Sequence, residues 1–70
     1  ADVFERWIVA GSALHEDSGL SAERARELTI GMLAALEGAF VLARALRTTE
    51  PLAIAGELVA NAVQAALDES

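Results

Sequence analysis

From residue 28 to residue 43 the chain reads Leu-Thr-Ile-Gly-Met-Leu-Ala-Ala-Leu-Glu-Gly-Ala-Phe-Val-Leu-Ala, and Thr29 and Glu37 are its only polar side chains. A helix on the surface of a globular protein shows one apolar stripe and one polar face, so a helix apolar nearly all round must be enclosed on most sides. A chain of 70 residues has little to enclose it with. At this size a single core supplies roughly 3–5 kcal/mol, and there is no cysteine to staple it. The sequence therefore implies a larger assembly, either a self-association module or one piece of a longer protein.

Composition narrows the classes further. Apolar residues make up 54%, well outside the disordered regime, while aromatics are only 4% and tyrosine is absent. Alanine and leucine dominate and there is one proline, which favours helix throughout. No strand signal, internal repeat or low-complexity tract is present. The net charge of −6 repels phosphate backbones, so nucleic-acid binding by these residues is not expected, and anionic membrane surfaces are disfavoured for the same reason. The first residues, Ala-Asp-Val-Phe-Glu-Arg-Trp, have neither a basic nor an apolar signal-peptide region. They lack a starting methionine and open almost directly into helical periodicity, which leads to the expectation of a chain cut from a longer one.

Three helices are predicted, at about residues 2–15, 22–47 and 51–67, in an all-α fold. Val3, Phe4, Trp7, Ile8, Gly11 and Leu14 recur at helical spacing in the first, and Glu16-Asp17-Ser18-Gly19 ends it with turn residues. Ser21 is a good N-cap for the second, with Glu23 placing negative charge in its first turn. Projected at 100° per residue, Leu28, Met32, Ala35, Ala39, Leu42 and Leu46 form its main core stripe. Gly31, Gly38 and Ala45 make a smooth flank that another helix backbone can approach, and Leu33, Leu36 and Phe40 make a bulkier one. Pro51 fits a first helical turn, capped by Thr49 or Glu50. In the third helix the polar residues Glu57, Asn61, Gln64 and Asp68 form one narrow strip, and the rest is apolar. One neighbouring helix covers about a third of such a circumference, so a second neighbour from another subunit is expected, as in a four-helix bundle built from two hairpins.

Chemistry is sparse. His15 is the only histidine and suits the end of the first helix, where its partial charge complements the dipole; a lone histidine supplies too few ligands for zinc. No paired-carboxylate, Ser/His/Asp or phosphate-cradling arrangement is visible, so no enzyme activity, cofactor or metal is expected. Glu37 shares its side of the helix with Arg26 and Arg44, which fits an exposed rim, the alternative being a buried hydrogen-bonding role. Trp7 with Phe4 fits core packing or the wall of an apolar ligand pocket, and Met32 carries the same ambiguity. Two apolar stretches of 16–17 residues fall at or below the roughly 17–25 needed to span a bilayer, and each contains a glutamate, so no membrane partner is expected.

Residues 36–52 carry a resemblance. Glu37-Gly38-Ala39, then Leu42-Ala43-Arg44, then a short polar turn into Pro51-Leu52 and a final apolar helix, is similar to the end of a TetR-type transcriptional repressor, in particular the LmrA/YxaF-like C-terminal domain. The Gly19-Leu20-Ser21 turn and the Ala25-Arg26 pair extend the likeness upstream.

This resemblance implies that residues 1–70 are one C-terminal fragment of a regulatory domain that dimerises and binds an effector. Its last two helices would form half of an intersubunit four-helix bundle in a cytoplasmic homodimer. The implied dimer interface is Gly31, Gly38, Val41, Leu42, Ala45, Leu52, Ala55, Val59, Ala62 and Val63. Phe4, Trp7, Met32 and Leu36 would line part of a pocket for a small apolar effector. DNA would be read only by an N-terminal helix-turn-helix domain, which is absent from these residues, so this chain alone is expected neither to bind DNA nor to hold a complete ligand site. A free-standing helical self-association or adaptor module is the alternative.

Overall fold

The computed structural model describes residues 2–69 and contains three helices: α1 (Asp2–Asp17), α2 (Ala22–Leu46) and α3 (Glu50–Glu69). The all-helical expectation holds, with corrections at the ends. α1 runs two residues past His15, α2 stops at Leu46 instead of residue 47, and α3 gains Glu50 at its start and Asp68 and Glu69 at its end. No breaker stands at the end of α3, and Gln64 Nε2 donates to Asp68 Oδ1 at 3.0 Å across the last turn.

The connections follow from local backbone chemistry. Gly19 adopts φ 106°, its N–H donates to the Glu16 carbonyl at 2.9 Å, and the Leu20 N–H donates to the His15 carbonyl at 3.3 Å. This pair of reversed bonds satisfies carbonyls that the end of α1 would otherwise leave open. Ser21 then caps α2, accepting from the Arg24 N–H at 3.1 Å. At the other end of α2 the left-handed position is filled by Arg47 (φ 54°), and the Thr48 N–H reaches back to the Ala43 carbonyl at 3.1 Å. Thr49 occupies the N-cap position of α3, where its carbonyl accepts from Ala53, while the Thr48 hydroxyl accepts from the Glu50 N–H at 3.2 Å.

α2 is the central helix, with α1 on one flank and α3 on the other, and α1 makes no close approach to α3 among the described residues. The Cα atoms fill an envelope of 38 × 30 × 13 Å, a single layer of helices. Domains bury their cores between two or more layers, so one layer leaves both of its faces open. The burial pattern agrees. The core is the small cluster Leu20, Ala25, Leu28 and Ala66, with Met32 and Val63 half-buried against it, and no large side chain among the described residues is fully buried.

The two flanks are built differently. Against α3, α2 sets Leu28, Met32 and Ala39, and the Arg24 guanidinium lies 3.6 Å from the Glu69 carboxylate. Against α1 it sets Thr29, whose buried hydroxyl donates to the Ala25 carbonyl at 2.8 Å, with an ion pair from Arg26 to Glu5 at 3.4 Å alongside. Ser12 Oγ is buried in α1 without a hydrogen-bond partner, at a cost of about 1–3 kcal/mol. Apolar burial thus concentrates between α2 and α3, and the α1 flank is the more weakly held of the two.

Candidate oligomer and effector surfaces

The α2–α3 hairpin presents an open apolar groove along one face of the layer. Its part nearer the turn holds about 440 Å³ between Gly38, Leu42 and Leu46 of α2 and Pro51, Ile54 and Leu58 of α3. A second part of about 210 Å³ continues it between Gly31, Met32 and Ala35 of α2 and Leu58, Val59 and Ala62 of α3. Ala35 and Leu58 line both parts, so the two form one furrow. Leu42, Ile54 and Leu58 are 53%, 54% and 64% exposed, which places bulky apolar surface in water along the length of a packed hairpin.

Of the interface residues expected from the sequence, Gly31, Gly38, Leu42, Ala55, Val59 and Ala62 line this furrow, while Val41 and Ala45 are exposed on α2 beside it. Ala55 is buried at the base, and Leu52, Val59 and Val63 are half-buried in the hairpin's own packing. Leu46, Ile54 and Leu58 complete the furrow walls and were not singled out from sequence as interface residues. The signal for them existed: Ile54 and Leu58 are four apart, and so are Leu42 and Leu46, which puts each pair on one helical face.

The expected effector residues divide between the flanks. Phe4 and Trp7 lie together on α1, ring edge to ring face, with centroids 5.5 Å apart and planes at 89°, and each is about half exposed. That is a favourable aromatic geometry on a surface the chain itself does not cover. Met32 is on the α3 side, packed against the Leu20–Ala25–Leu28–Ala66 cluster. Leu36 is exposed on α2, as is Phe40 one turn further along. Glu37 is exposed, as the rim reading has it. His15 is half-buried in the last turn of α1. Among the described residues no group of three or more His, Cys, Asp or Glu side chains could hold a metal ion.

The apolar stretch from 28 to 43 understates its helix, because α2 continues without a break from Ala22 to Leu46 and by length and composition alone could cross a bilayer. Its Leu28, Thr29 and Ala39 are nevertheless buried by its two neighbours, the arrangement of a central helix in a packed layer.

Residues 1–58 match the family of LmrA/YxaF-like transcriptional regulators, C-terminal domain, and the chain belongs to that family. The match takes in α1, α2 and the first half of α3, so α1 is part of the family pattern, although the sequence likeness described above starts only at the turn after it. Domains of this TetR-type class are regulatory and not enzymatic, and they generally dimerise and bind small effectors. No curated protein and no solved structure matches the chain.

Proposed function

We propose that this chain is the dimerisation and effector-binding portion of a cytoplasmic TetR-type repressor, and that it controls DNA binding by a helix-turn-helix domain outside these residues. The observation that carries the reading is the furrow between α2 and α3, apolar along its length and open to water. A monomer rarely exposes a long contiguous apolar surface unless another surface covers it. A second copy of the hairpin supplies that cover and completes a four-helix bundle. The Phe4–Trp7 pair, on the flank away from the furrow, then serves as one wall of an effector pocket whose other walls come from outside α1–α3. Effector binding acts by linkage: it favours one relative orientation of the two subunits and so changes the spacing of the DNA-reading domains.

Light scattering on the full-length regulator tests the assembly. The wild type is expected to be a dimer at micromolar concentration. Gly38→Leu fills the furrow, and overpacking of about 1–3 kcal/mol weakens the dimer by roughly 5- to 150-fold while helical content stays unchanged. A wild type that remains monomeric at that concentration removes the reading.

A further inference from the structure

The seam between α1 and α2 is small and polar. The α1 residues that lose surface to it are Ile8, Gly11, Ser12 and His15, so Ile8 is the one large apolar side chain that α1 seats there. The cross-helix ion pair beside it, Glu5 to Arg26 at 3.4 Å, is exposed. No interlocking of bulky side chains therefore fixes the rotation of α1 about its own axis. Only its C-terminal end is firmly tied, because Leu20 enters the core immediately after the Gly19 turn.

Ser12 is the residue this seam leaves unsatisfied. Ser18 and Thr29 each donate to the carbonyl four residues earlier, at 3.2 and 2.8 Å. The Ser12 hydroxyl, buried against α2, has no hydrogen-bond partner. An unpaired buried hydroxyl weighs against the arrangement that contains it by roughly 5- to 150-fold in population. An acceptor lies next door. A Cβ on Gly11, the residue before Ser12, would stand 3.3 Å from Thr29 Oγ1. That oxygen gives its own proton to the Ala25 carbonyl and keeps lone pairs with which to accept. Gly11 has no side chain to block Thr29 as α1 turns past it. A small roll of α1 thus carries Ser12 toward Thr29, a motion of the kind packed helices make when they shear.

We propose that α1 has two seats on α2. In the seat described above, Thr29 lies against Gly11 and Ser12 is unpaired. In the other, α1 has rolled so that Thr29 lies against Ser12, whose hydroxyl donates to Thr29 Oγ1. Phe4 and Trp7 ride on the same helix, so a molecule that grips them more strongly in one seat shifts the balance toward it. That last step rests on the effector reading above; the two seats themselves do not.

Fluorine NMR on the full-length protein tests the two seats without any effector. Trp7 carries 5-fluorotryptophan, and every tryptophan outside these residues is replaced by phenylalanine. Helix shifts of this kind fall between microseconds and milliseconds and appear as relaxation dispersion of the Trp7 signal. Two variants push in opposite directions. Ser12→Ala removes the penalty of the first seat and the bond of the second, so the dispersion is expected to vanish. Gly11→Ala places a carbon 2.7 Å from Thr29 Cγ2 and expels α1 from the first seat, so the Trp7 signal is expected to move the opposite way from that of Ser12→Ala. If Gly11→Ala loses helical content, Thr29→Val decides instead: it keeps the branched shape, removes the acceptor, and is expected to act as Ser12→Ala does. A wild type without dispersion, or dispersion unchanged in Ser12→Ala, overturns the two seats and leaves Ser12 turning its hydroxyl to a local carbonyl. Dispersion that Ser12→Ala abolishes, but that no apolar compound releasing the regulator from DNA alters, keeps the two seats and removes their link to the effector.

Discussion

Gly11 of α1 sits so close to Thr29 of α2 that a Cβ built on the glycine would lie 2.7 Å from the threonine Cγ2 and 3.3 Å from its Oγ1. Thr29 cannot easily turn away, because its hydroxyl is committed to the Ala25 carbonyl at 2.8 Å. The two helices therefore touch at a point that admits no added carbon. Gly11→Ala is expected to destabilise the protein by about 1–3 kcal/mol, as overpacking does. Thr29→Ser removes the methyl and keeps the hydroxyl, so the double variant should recover much of that loss. Denaturant midpoints of the four proteins in the cycle check the coupling. Equal losses with and without Thr29→Ser would mean that the contact is not the source.

The two ends that terminate α1 and α2 share one backbone device and differ in the residue that occupies it. Gly19 holds φ 106° without steric cost, whereas Arg47 holds φ 54° with a side chain attached. A non-glycine residue in the left-handed region costs roughly 1–2 kcal/mol. Arg47→Gly should therefore stabilise the protein by about 0.5–1 kcal/mol, the gain being reduced by the extra freedom of glycine in the unfolded chain. Gly19→Ala should destabilise it by about 1 kcal/mol or more, since Leu20, immediately after, must enter the core from this turn. Thermal unfolding should show shifts of opposite sign.

Helix positions were legible in the sequence because their ends are chemically marked. Gly19, Ser21 and the Thr48–Pro51 segment lie where the chain turns, and Ser21 makes the capping bond expected of it. The extra residues at the end of α3 were not legible, because Asp68 and Glu69 are poor choices for a helix C-terminus by dipole alone. Local contacts hold them: Gln64 bonds Asp68, and Arg24 from α2 pairs with Glu69. The projection of α2 put Leu42 and Leu46 in one core stripe with Leu28 and Ala39, but only Leu28 and Ala39 are buried, while Leu42 and Leu46 are 53% and 61% exposed, because periodicity cannot say how far along a stripe a neighbour covers it. Thr29, polar and between two apolar residues, gave no sign that it would be buried against α1 opposite a glycine. Periodicity also could not reveal that the three helices form one layer, since it records which side of a helix is apolar and not how many helices share that side.

The Phe4–Trp7 pair separates a pocket wall from ordinary core. Trp7 is 50% exposed here, so within this chain it is not enclosed as a core tryptophan would be. Full truncation of a buried tryptophan costs about 3–5 kcal/mol, and half-burial reduces the expected loss for Trp7→Ala to roughly 1–2 kcal/mol. On the proposed function that variant keeps DNA binding and loses response to effector, because the assembly furrow lies on the other flank of α2. With other tryptophans in the full-length protein replaced, Trp7 emission reports the site directly. An apolar compound that releases the regulator from DNA should protect Trp7 from acrylamide quenching, with a shift to shorter wavelength as water is excluded from the indole. Quenching that stays the same in the presence of such a compound would place the effector elsewhere. Joint loss of DNA binding and effector response in Trp7→Ala, with a stability loss at the core value, would instead make Trp7 a packing residue covered by helices outside α1–α3.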